Sequence, residues 1–207
     1  MALNPNSEVT HHWYSHLLVA LGRTEESLAM SLGALELAPL DLEMNAHLAW
    51  HYIYARQYEQ AIQQCKKAVE LDPNFHEPHW FHGWACALAD RPEESIEALQ
   101  RAVALSGSSP YMKTFLAFVH ARAGNREEAE KILRELRQIA EHRYVSSYRT
   151  AAVQLALGNH ERAVEQLEKA YEERDGWMAY LGVDPLFDAL HSEPRHANLV
   201  RLLKLPR

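Results

Sequence analysis

The feature that most constrains this chain is a step of 34 residues at which small side chains return. Ser15, Ala49, Gly83, Ala117 and Ala151 form one column at this step, and Ser27, Ala61, Ser95, Ala129 and Ala163 form a second. A third column, Ala34, Ala68, Ala102, Leu136 and Ala170, breaks the rule once, and Pro39 and Pro73 close the first two periods. Self-similarity at such a period is the mark of stacked structural units. Short side chains at a fixed phase have a steric meaning, because helix axes approach to about 8–10 Å only where the facing residues are small.

Within each period apolar residues return at steps of three and four, which predicts two amphipathic helices per unit. Gly22, Gly124 and Gly158 mark the turn between them. Thr24, Asp90, Asn125 and Asn159 are the predicted N-caps of the second helices. Asp90 with Glu93 and Asn125 with Glu128 have capping-box spacing, and Pro92 suits a first helical turn.

A 34-residue helix-turn-helix unit with these columns resembles the tetratricopeptide repeat. The unit 42–75 carries the resemblance best, through Leu48, Ala49, Tyr52, Tyr58, Ala61, Ala68 and the ending Leu71-Asp72-Pro73-Asn74. The implied fold is all-α: a right-handed superhelical solenoid of antiparallel helix pairs, with units 8–41, 42–75, 76–109, 110–143 and 144–177. Gly107, Glu141 and Asp175 replace the closing proline in the last three units, and Leu136 replaces a small residue. Units four and five are therefore expected to pack more loosely or at a different angle.

Both ends carry a reading. Leu3-Asn4-Pro5-Asn6 resembles a repeat ending, with Pro5 one period before Pro39, so 1–7 reads as the remnant of a preceding unit or a lead-in. Gly182 to Asp188, Ser192 to Arg195 and Leu199 to Pro206 resemble the segment that closes such repeats in bacterial multidomain regulators. A solenoid needs a cover for its last apolar face. The segment 178–207 is expected to supply it through Leu186, Phe187, Leu190, Leu199, Leu202 and Leu203.

The resemblance implies that the first helices line a concave surface and that the fifth and ninth positions of each unit face it. These positions hold His12 and His16, Ala46 and Trp50, Trp80 and Trp84, Thr114 and Phe118, and Tyr148 and Ala152. With Tyr111, and with Glu43 and Glu77 near the rim, they form an expected aromatic-lined groove for a protein or peptide partner. Indole is enriched among residues that dominate interface energy. The carboxylate clamp of Lys, Arg and Asn found in some of these domains has no counterpart here, since Ala, His and Trp stand in its place.

Other function classes lose ground on composition and motif. A net charge of -7 gives no general attraction to a phosphate backbone, so no nucleic-acid partner is expected. Apolar runs end well before the roughly 20 residues that span a bilayer, and the first residues lack the regions of a signal peptide. A cytoplasmic protein without a membrane partner is the expectation. No phosphate loop, HExxH helix or nucleophile elbow occurs, so no enzyme and no cofactor are expected. The pairs His12 with His16 and His47 with His51 have chelating i, i+4 spacing among 13 histidines, but nothing in the sequence fixes a third ligand. They read as exposed or packing residues, with no metal expected and a metal-binding or enzymatic role ranked last. Cys65 and Cys86 read as small buried hydrophobes. Self-association is the alternative to partner binding.

Overall fold

A computed structural model describes residues 7–204. Eleven α-helices follow one another, and no strand is present among the described residues. Each 34-residue period is a helical hairpin: α1 (Glu8–Ala20) with α2 (Thr24–Leu37), α3 (Leu42–Tyr54) with α4 (Tyr58–Leu71), and α5 (His76–Leu88) with α6 (Pro92–Leu105). α7 (Pro110–Arg122) pairs with α8 (Arg126–Ala140), and α9 (Ser147–Ala156) with α10 (His160–Glu172). Two 3-10 segments, Gly176–Tyr180 and Pro185–Leu190, lead to α11 (Pro194–Leu202), which packs on α10. The hairpins stack in order as a solenoid. The reading of Leu3 to Asn6 as a repeat ending lies outside the described residues.

The small-residue columns are the inter-helix contacts. Ala49, Ala117, Ala151, Ala61, Ala129, Ala163, Ala68, Ala102 and Ala170 are fully buried, and Leu136, the exception in its column, is buried as well. At Gly83 the two helices of a hairpin come so close that a Cβ would lie 2.5 Å from Leu99 Cγ and 2.9 Å from the Ser95 carbonyl oxygen. Ser95 Oγ donates to the Gly83 carbonyl at 2.6 Å, so the second column is hydrogen-bonded to the first.

The turn inside each hairpin has its own register. Gly22, Arg56, Asp90, Gly124 and Gly158 all have positive φ, and each stands one period from the next. The left-handed residue is thus a property of the unit, carried by glycine in three units and by Arg56 and Asp90 in the others. Capping departs from expectation. Arg23, Arg91, Asn125 and Asn159 precede the second helices and none makes a side-chain cap bond. Asn159 instead donates to Gln154 Oε1 at 2.9 Å, and Asp90 pairs with Arg122 at 3.0 Å. The left-handed turn leaves these side chains facing neighbours and not the helix mouth. Within the five hairpins the side-chain caps that do form are Ser7, Asp41 and Ser146, each at the start of a first helix.

Stacking changes between units four and five. α2, α4 and α6 each pack on the following first helix, whereas unit five docks mainly through α7 against α9. α8 stands away, and a crevice of about 220 Å³ opens between it and α9, lined by Leu133, Arg134, Arg137, Gln154 and Arg162. Leu136, the large residue in a column of small ones, lies on α8 at this junction.

Candidate functional site

The row expected to line an open groove is present on the first helices but is not open. Trp50 is 1% exposed, Trp84 and Tyr148 0%, Phe118 4%, Trp80 5% and His12 4%. Two physical causes account for this correction. Rings of adjacent units pack on one another: Trp80 lies 4.9 Å from Tyr111 and 5.2 Å from Phe115, centroid to centroid. The rest are covered by the chain's own continuation, which leaves α10 and crosses the inner face. Tyr180 meets Trp50 edge-on at 5.3 Å and Tyr54 at 5.6 Å, and Trp177 meets Tyr111 at 5.8 Å.

This crossing segment is held by two carboxylates. Asp175, at the position where the first two units carry proline, accepts from Tyr144 Oη at 2.8 Å and Ser146 Oγ at 2.6 Å and caps the Trp177 amide. Asp184 is completely buried, accepts from Tyr148 Oη at 2.9 Å and Tyr54 Oη at 3.3 Å, and caps the Leu186 amide. Burial pushes its carboxyl up, and Arg149, 3.7 Å away, pulls it back toward the ionised form. The Arg149 guanidinium is itself buried and lies 4.0 Å from the Trp177 ring, 4.8 Å from Phe115 and within 5.5 Å of Trp84, Tyr111 and Tyr148. A desolvated cation over an aromatic face gains about 2 kcal/mol, which offsets part of the cost of burying it. At the surface, Arg56 reaches Asp188 at 2.7 Å.

The closing segment therefore does more than cover the end of the array. Leu186, Phe187, Leu190 and Leu199 are buried, while Leu202 is 45% exposed, a correction to its expected place in the cover. Arg195 grips Glu168 of α10 with two bonds of 2.8 and 2.6 Å and also bonds Glu161.

What stays accessible is two groups of rings joined through the buried Trp50. Trp13, 60% exposed, lies 5.6 Å from His16, which stacks on Trp50 at 4.6 Å. Beyond Trp50 come Tyr180, Trp177 and Tyr111, each half-buried. Glu43 and Glu77 stand beside the first part of the strip, 3.5 Å from His12 and His47 respectively. Sequence reasoning missed Tyr54, Arg149, Asp184, Trp177 and Tyr180. The density of aromatics in Trp177 to Phe187, following the last unit, was the available signal.

The histidine pairs separate. His51 is fully buried between Ser27 Oγ (2.8 Å from Nδ1) and Ser15 Oγ (2.9 Å from Nε2), and burial holds it unprotonated. His47 turns instead toward α1 and meets His12 and His16, supplying the third imidazole that the sequence did not locate. Burial pushes His16 down to about 3 and lowers His12 as well. A second group, His82, Cys86 and Glu94, also converges, with His82 Nε2 3.0 Å from Glu94 Oε1. Burial pushes the Cys86 thiol up to about 12. Cys65 is likewise a buried free thiol.

Helical hairpins stacked in register, with an inner face of first helices and no strand among the described residues, define a helical-repeat scaffold. The chain belongs to the tetratricopeptide repeat family: profiles described as tetratricopeptide repeat match residues 48–110 and residues 113–135 with 146–169, together more than half of it. No curated protein matches its sequence. Among solved structures it is similar to TTC0263, a thermophilic TPR protein of Thermus thermophilus, with 20% identity, a TM-score of 0.68, and coverage of 94% of this chain and 100% of that one. A tetratricopeptide repeat protein from Parabacteroides merdae gives 16% identity and a TM-score of 0.64 over 97% of this chain and 79% of that one. YrrB, a TPR protein with an unusual peptide-binding site, gives 21% identity and a TM-score of 0.50 over 87% and 93%. At these identities the likeness is one of fold.

Proposed function

We propose that this chain is a protein-interaction scaffold whose contact surface is the half-exposed ring strip Trp13, His16, Tyr180, Trp177 and Tyr111. The observation that carries this reading is a run of accessible rings, Trp13 with His16 and Tyr180 with Trp177 and Tyr111, joined through the buried Trp50 and flanked by Glu43 and Glu77, on a fold whose members bind protein or peptide partners. Trp50 and Trp80, buried and in ring contact with Tyr180 and Tyr111, form the floor beneath the strip. Aromatic faces suit apolar side chains, and the two carboxylates favour a partner segment that also carries basic residues. YrrB, with a peptide-binding site in its own array, supports a peptide mode of recognition. The setting we favour is one arm of a larger bacterial regulatory protein in the cytoplasm, in a binding role and not a catalytic one. The closing segment supports the first point, and no described helix is long and apolar enough to cross a membrane.

The test is capture on the immobilised chain, read by mass spectrometry, for wild type and a Trp13→Ala/Tyr180→Ala double variant. The variant loses the captured proteins while keeping its helical circular dichroism, and a control at an exposed leucine on a second helix, Leu71→Ala, retains them. Equal capture by all three rejects the strip as the contact surface.

Self-association has one observation in its favour. Val9, Trp13 and Leu17 recur every fourth residue on α1 and are 50%, 60% and 52% exposed, an apolar stripe on the first helix of the stack. Sedimentation of wild type and Leu17→Glu over a range of concentrations separates the readings: a dimer abolished by the substitution supports self-association, and a concentration-independent monomer excludes it.

A further inference from the structure

Three imidazoles meet on the first helices of units one and two. His12 and His16 lie one turn apart on α1 and His47 comes from α3, with ring centroids 4.8, 4.9 and 4.9 Å apart. One ring nitrogen of each lies within 4.8 Å of the other two, and His16 Nε2 is 2.9 Å from His47 Nδ1. Hydrogen bonding alone does not account for the arrangement. His12 Nε2 is buried without a partner, and so is Oε2 of Glu77, which stands 3.5 Å from His47 Nε2. Orphaned buried polar atoms are rare enough to need a cause. His51, one turn beyond His47, has both nitrogens paired by serines, so these helices can satisfy an imidazole that serves packing.

We propose that His12, His16 and His47 bind a divalent zinc ion, with Glu77 positioning His47 and Glu43 as the nearest fourth donor. Imidazole nitrogen suits zinc, and three histidines leaving one position for a carboxylate or water is a common donor set. With bonds of about 2.0–2.1 Å, two nitrogens in a tetrahedral site stand roughly 3.3 Å apart. The 2.9 Å pair has to open slightly and the wider separations have to close. Glu77 stands to His47 as carboxylates stand to metal-bound histidines: a proton kept on Nε2 leaves the Nδ1 lone pair directed at His16. Glu43 Oε1 is 3.5 Å from His12 Nε2, on a side chain 56% exposed and free to swing inward. The ion would join α1 to α3 and, through Glu77, to α5. It requires no partner protein.

The experiment is calorimetric titration of the untagged, chelator-stripped chain with zinc chloride, followed by the visible spectrum with cobalt(II). One equivalent binds with a dissociation constant in the micromolar range or tighter, cobalt gives the strong absorption of a tetrahedral site, and zinc raises Tm. His16→Gln and His47→Gln each weaken binding by about tenfold or more, and Glu77→Gln by roughly 10 to 100-fold. His82→Gln, in the other cluster, leaves it unchanged. Circular dichroism establishes that each variant is folded, and Glu77→Gln serves where a histidine variant is not. No saturable heat with the wild type overturns the assignment, as does equal zinc affinity in wild type, His47→Gln and Glu77→Gln.

Discussion

Two residues show how much of this fold rests on single contacts. Gly83 is the narrowest point between two helices, with no room for a methyl group beside Leu99 and Ser95. Gly83→Ala forces the hairpin apart and costs about 1–3 kcal/mol, measured by urea denaturation. A cost near zero would mean that α5 and α6 shift freely. Arg149 is the opposite case, a cation enclosed by rings with one buried carboxylate for a counter-charge. Arg149→Met leaves Asp184 buried and uncompensated, and stability falls by about 3–5 kcal/mol. Adding Asp184→Asn recovers part of that loss, because the unpaired charge is gone; a double variant no better than the single would place the effect in packing. The need for a small residue at 83 was legible in its column. The need for Arg149 was not, because an arginine on a first helix looks like any solvated charge until Asp184, 35 residues later, is placed against it.

The hairpin repeats its turn as faithfully as its helices. Gly124 has φ of +78° with nothing within 4 Å of where a methyl group would stand, so Gly124→Ala acts through the backbone alone. It costs about 1–2 kcal/mol, the strain of a left-handed L-residue, whereas Gly176→Ala, in ordinary backbone and equally open space, stays within about 0.5 kcal/mol of wild type. Equal effects in chemical denaturation would refute this backbone account. The helix pairs and their period were legible because an amphipathic hairpin is written locally, residue against residue three, four or 34 positions away. The N-caps at Asp90 and Asn125 were misjudged because a left-handed residue at the turn redirects the side chain that composition alone assigns to capping. The looser junction after unit four was foreshadowed by Leu136, and α8 does stand apart from α9.

At the scale of the whole molecule, buried histidines set the response to acid. Burial holds His120 and His196 below the ordinary imidazole range. Unfolding lets each take up a proton once the pH falls below about 6.5, so the unfolded chain binds more protons there and stability present above that value is lost as the pH drops. In the presence of chelator, Tm falls from about pH 7.5 to about pH 5.5, and His196→Gln flattens the slope. A Tm that is constant or rises toward acid would contradict the assignment. The covered inner face could not be read from the sequence, since Tyr54 meets Asp184 and Arg56 meets Asp188 across separations of 130 and 132 residues. No period relates such pairs.

Those two long-range contacts change how the array comes into being. In a simple stack each unit leans only on its neighbours, so a nascent chain can settle unit by unit as it leaves the ribosome. Here the lid for Trp50 and Tyr54 is synthesised well after both of them, and loop closure over about 130 residues has to precede the final packing. Birth order and assembly order run opposite ways: the units that carry Trp50 and Tyr54 wait, with their rings uncovered, for a stretch of chain made much later.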